Sequence, residues 1–131
     1  MAVAALITWI IAAGLGFVML GQWVAGGGAR GTASTTFKPA LIFGHFLLAA
    51  TGLIVWIIYV IAGTDALVWV AFALLVVVAV LGEVMFLRWF RGRGTSTTVE
   101  SRFPLPVVYA HGLFAVTTVV LVLLIGLGVG S

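Results

Sequence analysis

Four long apolar runs dominate this chain, at residues 2–25, 39–62, 66–90 and 104–128. An α-helix needs about 20 apolar residues to cross the hydrocarbon core of a bilayer, so each run is long enough to span it once. No soluble core could absorb them: of 131 residues, 64% are hydrophobic and 7% charged, and a domain of this size has too little interior to hide so much apolar surface. The expected fold is an all-α integral membrane protein, a four-helix up-down bundle forming one transmembrane domain over residues 1–131, with the lipid bilayer as solvent. The first run lacks a basic leader and is too long for a signal peptide, so it is expected to be a structural helix.

The charges are few and one-sided. Arg30 and Lys38 fall in the first connection, and Arg88, Arg91, Arg93 and Arg102 lie around the third. The second connection, at Gly63, Thr64 and Asp65, has no positive charge. Connections one and three lie on the same side of any up-down bundle. The positive-inside bias therefore predicts both to be cytoplasmic and both termini to be outside. The basic residues serve topology: there is no basic stripe or stacking platform for nucleic acid, and no nucleic-acid partner is expected. With no Cys, disulfides and thiolate metal sites are excluded.

The chain also repeats itself. Residues 1–65 set on 67–131 without a gap give 15 identical pairs, against roughly 5 or 6 for biased composition alone. The matches include uncommon residue types: Gly16 on Gly82, Met19 on Met85, Trp23 on Trp89, Phe37 on Phe103, His45 on His111 and Thr51 on Thr117. This pattern predicts a two-helix hairpin used twice in parallel, with a pseudo-twofold axis along the membrane normal. Glycines inside the runs, Gly16, Gly44, Gly52, Gly82 and Gly112 among them, suit close helix approach. Pro39, Pro104 and Pro106 sit at or near the first turns of helices two and four, where a missing amide hydrogen costs little. Trp23, Trp69 and Trp89 lie near helix ends and are read as interfacial anchors. The first and third connections, rich in Gly, Ser and Thr, are read as flexible loops.

His45 and His111 each lie about seven residues into their helices, ~10 Å from the cytoplasmic end. Gln22, Glu83, Met19 and Met85 project to nearly the same layer. Ionisable groups within a span are costly, and they face the bundle interior or a water-filled cavity for a functional reason. The bland role is a helix-to-helix hydrogen bond, for example from imidazole to Thr51, Thr117 or a carbonyl. Two symmetry-related histidines, however, suggest two ligands to one object. In an up-down bundle helices two and four occupy opposite corners, ~11–14 Å apart, with room for an iron between two inward imidazoles.

This arrangement of His45, His111, Gly16 and Gly82 resembles the four-helix bundle of membrane b-type cytochromes. The resemblance covers the bundle from the first helix to the fourth. It implies haem b held by axial His45 and His111, space for the macrocycle at Gly16 and Gly82, and electron transfer with a quinone or a redox partner subunit. Arg88 and Arg91 could then pair with the haem propionates. Members that carry electrons across the bilayer usually have four histidines and two haems. This chain has two histidines, both in one leaflet.

Two other readings stay open. One is a transition-metal site or pathway for copper, zinc or iron, lined by His45 and His111 with Glu83, Met19 and Met85; imidazole suits all three metals and thioether favours copper(I). Met in an apolar helix is more often core filler, and Glu83 breaks the repeat because its counterpart is Phe17. The other is a non-catalytic accessory subunit whose polar residues only fix packing, with Gly-rich outer faces available for homo-oligomers. Conventional enzyme chemistry lacks its parts: Asp65 lies across the membrane from both histidines, and Gly26, Gly27 and Gly28 form no P-loop. An electron carrier or binding protein is the expectation.

Overall fold

The computed structural model describes residues 1–94 and 97–130 and contains four long helices. They are α1 (Ala2–Ala25), α2 (Pro39–Ala62), α3 (Ala66–Gly92) and α4 (Leu105–Gly126). Each is long and apolar enough to cross a membrane. The expected runs coincide with α1 and α2. Helix α3 extends two residues further, because Arg91 and Gly92 continue its last turn. Helix α4 is trimmed at both ends: Pro104 is its cap, and the chain turns at Leu127 after Gly126.

The chain runs up and down, so one end of the bundle carries the termini and the short 63–65 connection. The other end carries the two longer connections and all six Lys and Arg. These are called the terminal end and the basic end. The terminal connection is tight: Gly63 adopts φ +69°, a left-handed cap that closes α2 through its amide on the Tyr59 carbonyl.

Helix α1 packs chiefly on α4 and α2 on α3, while α1 and α3, like α2 and α4, make no close backbone approach among the described residues. The latter pairs therefore stand at opposite corners. Each tight pair joins one helix from each hairpin, and the repeat register makes the two pairs equivalent.

Two apolar clusters fill the bundle. The terminal one gathers Ala5, Trp9, Trp56, Val68, Ala71, Leu75, Val122 and Ile125. Trp9 lies over Gly52, where a Cβ would come within 3.0 Å of its ring, and the Trp56 indole donates to the Ala2 carbonyl at 3.2 Å. The basic one gathers Trp23, Phe37, Ile42, Trp89, Val99 and Val108, with Met19 and Met85 packed against it. Between the two, Thr118 donates to Thr8 at 2.9 Å, a polar tie between α4 and α1.

The basic-end cluster corrects two expectations. Trp23 and Trp89 are core residues rather than interfacial anchors, 0% and 4% exposed; only Trp69 keeps an open ring, at 46%. The first and third connections are also more than flexible loops. Residues Val99–Arg102 form a 3₁₀ turn, and the Val99 amide donates to the Ser34 carbonyl at 3.0 Å, docking one connection on the other. The apolar side chains of Phe37 and Val99 close the end of the bundle over the two indoles. Thr95 and Ser96 of the third connection lie outside the described residues.

Candidate functional site

The two histidines come together. His45 on α2 and His111 on α4 reach inward from opposite corners, and their ring centres stand 6.3 Å apart with the planes at 64°. Both rings are half-buried. Along the helices they fall between the two apolar clusters, roughly 10 Å from the basic end.

Each ring is oriented by a helix of the other hairpin. His45 Nδ1 lies 3.0 Å from the Val78 carbonyl on α3, and His111 Nδ1 lies 2.7 Å from the Ala12 carbonyl on α1. A carbonyl can only accept, so each neutral imidazole carries its proton on Nδ1. The lone pair is therefore on Nε2. Among the described residues neither Nε2 has a hydrogen-bond partner. Thr51 and Thr117 are not engaged by the rings; each donates at 2.8 Å to its own helix, on Leu47 and Leu113 respectively.

The glycines at the matched positions make this close approach feasible. A Cβ on Gly82 would stand 3.1 Å from His45 Cε1, and one on Gly16 would stand 3.2 Å from His111 Cε1. Ala12 and Val78, Gly16 and Gly82, and His45 and His111 all obey the offset of the repeat, so the site is the same contact made twice. What lies directly against each glycine is an imidazole edge.

The remaining candidates fall outside this pair. Glu83, next to Gly82, is turned outward and exposed, and no group of three or more His, Asp or Glu residues gathers among the described residues. Met19 and Met85 pack with the basic-end core. Gln22, Arg88 and Arg91 are exposed at the basic end, and Arg93 lies over the Trp89 ring at 5.6 Å.

One residue that sequence reasoning missed governs that end. Among the described residues Glu100, 1% exposed, is the buried charged side chain. Its carboxylate accepts from the Trp23 indole at 3.0 Å, the Thr35 hydroxyl, and the amides of Thr36 at 3.3 Å and Phe37 at 3.2 Å. Burial alone would raise its pKa, but the donors, Thr35 foremost, together hold it below the usual glutamate value. Glu100 breaks the repeat, since its counterpart is Ser34. Being the lone acid in a basic, Ser/Thr-rich connection was the available signal.

The break has a visible consequence. Trp89, the counterpart of Trp23, has no acceptor for its buried indole N–H among the described residues. With Arg88, Glu100 and Ser101 it lines a gap of about 10 Å³, room for about one water molecule.

Comparison with protein-family models, curated proteins and solved structures gives no match for this chain.

Proposed function

We propose that this chain is a membrane haem protein that holds one b-type haem between His45 and His111 and exchanges electrons with a quinone or a partner subunit. The observation that carries the proposal is the paired geometry of the rings. With a metal–imidazole bond of about 2 Å, two imidazoles facing each other across one metal would have ring centres about 6.2–6.4 Å apart. The rings here are 6.3 Å apart.

The environment supports the same reading. Histidines that ligate metals usually donate their other ring nitrogen to a carbonyl or carboxylate, which fixes the tautomer and raises ligand basicity. Both histidines do so, through carbonyls of the opposite hairpin. Gly16 and Gly82 let the imidazole edges sit close against α1 and α3, which helps to hold both rings at this separation. When bound, the haem would supply one-electron redox chemistry. The chain's own part is to present two neutral imidazoles, hold their orientation and exclude water with the clusters on either side. Arg88 and Arg91, exposed on the last turns of α3, would be the partners of haem propionates at the basic end.

The positive-inside bias would put that end in the cytoplasm and the termini outside. The terminal half of the bundle is filled by Trp9 and Trp56 and has no histidine, which favours one haem near one face and leaves the rest of any transmembrane path to a quinone or partner. A bare-metal site has less support, because Glu83 turns away and the methionines serve the core. The purely structural reading accounts for the Nδ1 bonds but leaves two lone pairs facing no donor.

The test is a reduced-minus-oxidised absorbance spectrum of the detergent-purified protein after haem supplementation. The proposal expects a Soret shift and a narrow α band that His45→Ala and His111→Ala each abolish. A haem-supplemented protein without either feature refutes it, and metal analysis of the same samples separates an ion from haem.

A further inference from the structure

The terminal end has a feature that the histidine site does not use. A cavity of about 350 Å³ opens among α2, α3 and α4, lined by Tyr59, Asp65, Val68, Trp69, Ile125 and Gly126. This is within the range of small-molecule sites. It lies some 21 Å along α2 from His45, so its chemistry is separate from that of the imidazole pair.

Its polar and aromatic residues are among those that the duplication does not repeat. In the repeat register Tyr59 matches Ile125, Trp69 matches Val3 and Asp65 matches Ser131. The aromatic walls are held in place: Tyr59 packs on Trp56 at 4.8 Å between ring centres. Trp69 stands edge-on to Phe72 at 5.9 Å. The Trp69 ring also covers Gly126, where a Cβ would come within 3.1 Å of it.

Among the described residues the Asp65 carboxylate makes no hydrogen bond or ion pair. Asp65 occupies the cap position of α3 but makes no side-chain capping bond. Every Lys and Arg of the chain lies toward the opposite end of the bundle, so no basic side chain can serve as its counter-ion. A carboxylate beside two fixed electron-rich rings is a setting that attracts an organic cation, by charge on one side and cation–π contact on the other.

We propose that this cavity binds an organic ammonium group, carried either by a free amine or by the ethanolamine of a lipid headgroup. The carboxylate of Asp65 supplies the charge, Tyr59 and Trp69 supply the aromatic walls, and Val68 and Ile125 meet the apolar part of the ligand.

The full chain is placed in phosphatidylglycerol nanodiscs with and without phosphatidylethanolamine, and retained lipid is counted by native mass spectrometry. In parallel, ethylammonium and tetramethylammonium are titrated by calorimetry into the phosphatidylglycerol sample. The expected result is retention of phosphatidylethanolamine over phosphatidylglycerol, or saturable binding of a free ammonium, that falls about tenfold in Asp65→Asn. Trp69→Leu, and Gly126→Val, which displaces the Trp69 ring, fall in the same direction. Retention without free-amine binding assigns the lipid as the source; binding of the free amines assigns the amine itself. Asp65→Asn behaving as wild type in both arms, or no preference and no saturable binding by the wild type, overturns the proposal.

Discussion

Trp23 and Trp89 allow the same substitution to be made twice in one molecule. They are counterparts in the repeat and both are buried, yet one indole N–H is bonded and the other is not. Replacing either by Phe removes a similar amount of apolar ring, so the packing losses largely cancel in the comparison. Trp23→Phe also removes a donor from the buried Glu100 carboxylate, a 3.0 Å bond of a kind that contributes about 1.5–3 kcal/mol. Trp89→Phe removes a donor whose burial without an acceptor costs about 1–3 kcal/mol. Trp23→Phe should therefore be less stable than Trp89→Phe by roughly 2.5–6 kcal/mol. Even if a water in the adjoining gap satisfies Trp89, the difference should stay above about 1 kcal/mol. Reversible unfolding by SDS titration in mixed micelles, followed by far-ultraviolet circular dichroism, measures it. Equal losses in the two variants, or a larger loss for Trp89→Phe, would show that the Glu100 network does not hold the basic end as described.

Three further outcomes follow from the same contacts. Gly16→Ala and Gly82→Ala each push a Cβ to 3.1–3.2 Å of an imidazole; haem retention should fall about tenfold in both, the scale seen when a ligand's support is disturbed, while the helices gain propensity and the fold survives. Haem titration followed at the Soret band tests this, and an effect at one glycine only would argue against equivalent roles. Glu100 titrates lower in the folded chain than in the unfolded one, so its stabilisation is complete above the ordinary glutamate value of about 4.3. As pH falls through that value and on toward the depressed folded-state pKa, the unfolded chain binds the proton first and stability drops; Glu100→Gln should flatten this acid limb of stability against pH. Thr118→Val loses the bond to Thr8 across α1 and α4 and should cost about 0.6–1.7 kcal/mol by the same SDS unfolding assay, with no change in haem binding.

The helices could be read almost to the residue, because run length and apolarity are the same facts a bilayer selects on. The repeat carried more: in its register His45 falls on His111 and Gly16 on Gly82, and those are the contacts that meet in the bundle. What could not be read was helix rotation. Glu83, Met19 and Met85 share a depth with the histidines, and depth says nothing about face, so Glu83 faces outward and the methionines join the core. The tryptophans near helix ends misled for a related reason. Interfacial position is a property of sequence distance, whereas burial of Trp23 and Trp89 depends on connections that fold back over them. Those connections looked like flexible Gly, Ser and Thr stretches, and the bonds that order them run from Glu100 to residues 63–77 positions away.

The central claim, that His45 and His111 are joint ligands to one haem iron, is met most directly by electron paramagnetic resonance of the ferric, haem-loaded protein at low temperature. The account predicts a low-spin six-coordinate signal integrating to one haem per chain, converted to high spin or lost in His45→Ala and again in His111→Ala. A low-spin signal that survives either substitution, or no low-spin signal in the wild-type chain, would contradict it.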